Sequence, residues 1–289
     1  MSDPIVVGVD GSASASAATG WAASEAVRHG VPLRLVHAYL PPARGYPGVV
    51  LTGHEVRTAF EQQARLRLDE AAAVARAAAP GVRVETSVVV DTPAAALVAA
   101  SQHARQVVLG SRGLGGFTGL LIGSVAVSVA AHGTSPVVVV RDESPADGPV
   151  VVGVDGSPTS EEAIAFAFEE ASLRGAPLTA LIAWTDALVD GARLTVDWSQ
   201  VEQEESRVLA ERLAGWQEKY PDTPVDRVVV HDRPARALLD AARTAQLVVV
   251  GSRGLGGFAG MLLGSTSQAL VHHAPCPLAV VRAVGGHGR

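Results

Sequence analysis

Two periods alternate along the chain. Short, purely apolar runs of Val, Ile and Leu are separated by longer Ala-rich stretches with helical spacing. Ile5 to Val9 predicts a first strand. Ser12, Ser14 and Ser16 open an Ala-rich segment that predicts a helix to about His29. Leu33 to Tyr39 predicts a second strand, and His54 to about Ala79 a long helix closed by Pro80-Gly81. Val82 to Val90 alternates and predicts a strand with one wetter face. Pro93 starts a helix to about Ala104. Val107 to Gly110 predicts a strand, Ser124 to His132 a helix, and Val137 to Arg141 the last strand. Apolar strands alternating with helices predict an α/β fold with a parallel sheet covered on both faces. Right-handed crossovers then make it open and doubly wound.

The pattern runs through the chain twice. Val7-Gly8-Val9-Asp10-Gly11-Ser12 returns as Val152-Gly153-Val154-Asp155-Gly156-Ser157, and Gly110 to Phe117 returns unchanged as Gly251 to Phe258. Residues 91–141 and 232–282 share 26 identities in 51 positions. The offset falls from 145 to 141, so the second copy is four residues shorter in its middle. We expect one domain over 1–141, a polar linker over 142–149 with two prolines, and a second domain over 150–289.

The segment after each fourth strand carries the chemistry. It reads Gly110-x2-Gly113-x9-Gly123-Ser124, and again Gly251-x2-Gly254-x9-Gly264-Ser265. Such a loop leaves the carboxyl edge of the sheet, where open α/β folds bind ligands. Glycines permit positive φ and close approach of backbone to ligand. A helix opening at Gly-Ser offers free amides and a dipole to an anion. The Ser124 hydroxyl is expected either to cap that helix or to donate to a phosphate. A plain turn is the competing reading, and the second copy at the same place weakens it.

Composition narrows the mechanism. Lys219 is the only lysine among 23 basic residues, and it sits in Glu218-Lys219-Tyr220, so a Gly-Lys-Ser/Thr phosphate loop is absent. Cys276, the only cysteine, excludes an internal disulfide and a multi-cysteine metal site. A net charge of −6 argues against a nucleic-acid binder. No apolar run is long enough to span a membrane, and Met1-Ser2-Asp3-Pro4 lacks a basic signal-peptide start. The expected location is cytoplasmic.

The Val-Gly-Val-Asp-Gly-Ser strand together with the Gly-x2-Gly-x9-Gly-Ser loop resembles the universal stress protein family. The likeness covers essentially the whole chain, twice. With Trp198, the Leu209 to Glu218 stretch and the second glycine loop, it is similar to the tandem type of actinobacteria, mycobacteria in particular. The resemblance implies Rossmann-like, five-stranded parallel sheets of order 3-2-1-4-5. It also implies that the two repeats pair through their last strands as a pseudo-dimer within the chain, and it leaves a homodimer open. It implies a stress-response regulator with one ATP per repeat, Mg2+ carried on the phosphates, and regulatory protein partners. Carried over by position, Asp10 and Asp155 would border adenine or ribose, with Gly8 and Gly153 allowing close approach. Ala38 and Ala183 would contact adenine through their backbone. Gly110, Gly113, Gly123, Ser124, Gly251, Gly254, Gly264, Ser265 and Thr266 would cradle ribose and phosphates. Ser111, Arg112, Leu114, Gly115 and Gly116 would form the first loop wall, and Ser252, Arg253, Leu255, Gly256 and Gly257 the second. Asp186 has Pro41 as its counterpart, so a ribose contact there would make the sites unequal.

Each reading has a structural rival. An Asp before Gly-Ser often forms an Asx-turn or caps the next helix. Arg112 and Arg253 can be solvated loop residues. His37 becomes Ile182 in the second copy, so core packing is its default role, and the nine histidines form no metal set. Neither glycine loop contains a carboxylate to hold Mg2+ or position water, so at most slow ATP hydrolysis is expected.

Overall fold

In the computed structural model, residues 2–41, 53–114, 122–141, 147–184, 198–255 and 262–283 are described. The first unit runs β1 (Ile5–Gly8), α1 (Ala13–His29), β2 (Leu33–Tyr39), α2 (Gly53–Ala78), β3 (Val84–Val90), α3 (Pro93–Ser101), β4 (Gln106–Gly110), α4 (Ser124–His132) and β5 (Val137–Val140). The second repeats it as β6 (Val150–Gly153), α5 (Pro158–Arg174), β7 (Leu178–Trp184), α6 (Trp198–Lys219), β8 (Val225–His231), α7 (Pro234–Ala241), β9 (Leu247–Gly251), α8 (Ser265–His273) and β10 (Leu278–Val281). The chain divides into compact units at Met1–Asp142 and Glu143–Arg289.

Within the first unit the strands order as β3-β2-β1-β4-β5, all parallel. Within the second the order is β8-β7-β6-β9-β10, again parallel. Strands β1, β5, β6 and β10 carry almost no polar side chain, as a sheet covered on both faces demands. Strand order reverses between β1 and β4, and between β6 and β9, which opens a crevice at the carboxyl edge of each sheet.

The caps are chemically legible. Ser12 accepts from the Ala15 amide at 3.1 Å at the start of α1, and Gly30, with φ 65°, closes it. Ser157 and Gly175 do the same for α5. Two expectations change. Neither β3 nor β8 has a buried face, because each packs at the end of its sheet order. The helix expected to reach Ala104 ends at Ser101.

The long helices pack differently in the two units. In the first, Ala23, Ala71 and Ala75 are all buried, and Gly20 faces Ala78 across α1 and α2. At the matching positions of the second stand Phe168, Trp216 and Tyr220, stacked with ring centroids 5.8–6.2 Å from Phe168. Small residues let α2 close on α1, whereas three rings hold α5 and α6 apart.

Candidate functional site

A cavity of about 670 Å³ opens at the first switch point. Its floor is Gly8, Val9 and Ala38, one wall is Gly110, Arg112, Gly113 and Leu114, and Gly123 and Ser124 close one end. The second unit has a cavity of about 380 Å³ with Gly153, Asp155, Ala183, Gly251, Arg253, Gly254, Leu255, Gly264, Ser265 and Thr266 in its lining. Asp10 lines the first. Gly115, Gly116, Asp186, Gly256 and Gly257 lie outside the described residues.

The aspartates hold the glycine loops in place. Asp10 Oδ1 accepts from the Ser12 amide at 2.9 Å, an Asx-turn. Its Oδ2 accepts from the Leu114 amide at 2.9 Å, 104 residues away. Asp155 repeats both contacts, at 3.0 Å to Ser157 and 3.2 Å to Leu255. The turn positions Gly11 and Gly156 take φ of 89° and 79°, where only glycine is unstrained.

The loop glycines therefore have another reason to be glycine. None of those described adopts positive φ, contrary to one expectation. A Cβ on Gly113 would sit 2.6 Å from Asp10 Oδ2, and one on Gly254 would strike the Asp155 carboxylate. A Cβ on Gly110 would lie 2.5 Å from the Ser14 backbone, and one on Gly251 2.9 Å from that of Thr159. These glycines let the loop pass under the first helix and against the carboxylate.

Ser111 and Ser252 are buried under the loop and do not line the cavities. Strand alternation turns them inward, with Ser111 Oγ 3.5 Å from Ser14 Oγ. The cap, one of the two roles expected for Ser124, is absent at α4, and no serine caps α8 either. Gly123 and Gly264 hold the cap positions, and no side chain bonds the helix start. Ser124 and Ser265 are the first helical residues, both exposed. The amides of Ser124, Val125 and Ala126 have no partner within the helix, and these three residues line the first cavity. Ser265, Thr266 and Ser267 do so in the second.

Positive charge gathers at these ends. Arg112 and Arg253 line their cavities. Burial, and then the nearby Arg253, hold the Arg282 guanidinium below its usual range.

The sequence reading missed several lining residues of the first cavity. Phe60, Gln63 and Arg67 reach it from α2, and Tyr39 stacks on Phe60 at 5.6 Å. His37, expected only to pack, is buried and lines the same space. No motif marks these positions. Only the path of α2 over the cavity assembles them. Among the described residues, no helix is long and apolar enough to cross a membrane.

A model of the Universal stress protein family matches residues 1–141 and again 148–282. Over 288 residues the chain is 44% identical to a universal stress protein of Mycobacterium tuberculosis, across 96% of each chain. A universal stress protein of Mycolicibacterium smegmatis is 43% identical over 289 residues, again across 96% of each. The crystal structure of a universal stress protein from Archaeoglobus fulgidus matches with a TM-score of 0.73 at 20% identity, covering 98% of this chain and 99% of that one, a likeness of fold.

Proposed function

The chain belongs to the universal stress protein family, and from that premise we propose that each repeat binds one adenine nucleotide, ATP, as the input of a stress-response regulator. One observation carries the reading. At the switch point of each repeat a helix starts on glycine with no side-chain cap, and its first three residues, whose amides have no helical partner, line a cavity beside an arginine. Uncapped amides and the helix dipole suit phosphate, and no lysine is needed.

Mg2+ would travel on the phosphates. Asp10 and Asp155 are the carboxylates at these edges, and both oxygens of each already accept backbone amides. Each carboxylate's charge is therefore shared with two amides, one of which tethers the glycine loop, and this makes it a weaker metal ligand or base for an attacking water. This favours binding over turnover, with hydrolysis slow at most. Bound nucleotide would then act by changing the surface offered to a protein partner.

The test is direct. The purified chain is denatured and its supernatant chromatographed, and equilibrium dialysis with ATP counts the sites. The expected result is adenine nucleotide approaching two per chain. The double variant Gly123→Asp, Gly264→Asp supplies a side-chain cap and a negative charge at both helix starts. It should keep the fold and lose about tenfold or more in affinity at each site. Unchanged affinity would remove the helix starts from the site, and absence of binding by the unaltered chain would remove the reading.

A further inference from the structure

The first repeat carries a buried histidine where the second carries isoleucine. His37 in β2 is 5% exposed and lines the first cavity. Its counterpart in β7, 145 positions on, is Ile182. The Nδ1 atom of His37 lies 2.6 Å from the Val9 carbonyl oxygen. A carbonyl only accepts, so Nδ1 carries the proton and donates. Burial is the strongest influence on the ring and holds it below its ordinary 6.5, aided by Arg67 and opposed by the Val9 bond and Asp10. At neutral pH the imidazole is uncharged, which leaves Nε2 as an acceptor.

That acceptor is unused. Nε2 takes no hydrogen bond from any described residue, and it is not sealed off from the cavity. The ring shares its face of β2 with Tyr39, which stacks on Phe60 of α2, and Arg67 and Asp10 are the charged groups that act on it. An acceptor that borders the cavity beside a stacked aromatic pair suits an aromatic heterocycle bearing an exocyclic amino group.

We propose that His37 makes the first site selective for the base: its Nε2 accepts from the 6-amino group of adenine, and the second site, with Ile182, lacks this reading. The inference rests on the nucleotide reading above and deepens it. A 6-keto purine would set its oxygen against Nε2, acceptor facing acceptor. The expected cost is about tenfold or more in affinity.

ATP and ITP, which differ at this position, are each titrated by calorimetry into the full chain. The unaltered chain should take two equivalents of ATP but only one of ITP in the same concentration range. In His37→Ile the first site should lose its preference, chiefly through weaker ATP binding. A preference unchanged by His37→Ile would overturn the proposal, as would equal weakening of both nucleotides, the mark of a packing role. No binding of either nucleotide to the unaltered chain would instead remove the nucleotide reading and this inference with it. Nitrogen-15 histidine spectra of the unaltered chain supply a test that needs no variant. ATP should move the His37 Nε2 resonance toward a hydrogen-bonded value and ITP should not. An Nε2 signal indifferent to bound ATP would refute the contact.

Discussion

Gln106 shows how closely related positions can differ in cost. It begins β4 opposite Ile5, is fully buried, and neither Nε2 nor Oε1 has a hydrogen-bond partner among the described residues. The second repeat places Leu247 at the same register, opposite Val150. Two buried polar atoms without partners are expensive, and an apolar residue of similar size already serves the same position once in this chain. Gln106→Leu should raise stability by about 1–3 kcal/mol in chemical denaturation, and a loss of stability would count against this account. Asp10 illustrates the limit of reading single residues. An Asx-turn could be expected from Asp-Gly-Ser, and it forms. The second bond, to Leu114, could not, because nothing local to Asp10 announces a partner 104 residues away. The glycines at 113 and 254 were legible as special positions. Their reason, room for that carboxylate, was not.

At the scale of elements, the repeated caps and apolar runs made most strands and helices readable, with ends moving by a few residues. What periodicity did not reveal was how the long helices pack. Ala23, Ala71 and Ala75 draw α2 onto α1, and Phe60 and Arg67 of α2 then line the first cavity. In the second unit Phe168, Trp216 and Tyr220 form a three-ring cluster with centroids 5.8–6.4 Å apart, and no residue of α6 lines the cavity. Phe168 is fully buried. Phe168→Ala should therefore leave a hole between α5 and α6 and cost about 3–5 kcal/mol, read as a lower denaturation midpoint. A loss under about 1 kcal/mol would mean that the helices close over the gap as they do in the first unit.

Across the whole molecule, duplication preserved one topology and let two sites diverge. Arg212 pairs with Glu161 on α5 and does not line the second cavity. Arg67, its counterpart, lines the first cavity and forms no ion pair with a described residue, because Ser16 stands where Glu161 does. Ser16→Glu should recreate the pair and weaken anionic ligand at the first site by up to about fivefold, the effect of an exposed pair. Two-site dialysis would read this, with the second site as internal control, and an unaltered first site would sink the argument. The order of elements, the repeat and the site's place at the carboxyl edge follow from the sequence by itself, because they depend on local periodicity, on caps and on the handedness of crossovers. Only the tertiary structure decided which glycines make room for a carboxylate, that glycine and not serine caps the helix at each cavity, and that α2 brings Phe60 and Arg67 to the same cavity as His37. Those outcomes depend on side chains meeting from distant parts of the chain, and their geometry is set by how closely the helices and loops can pack.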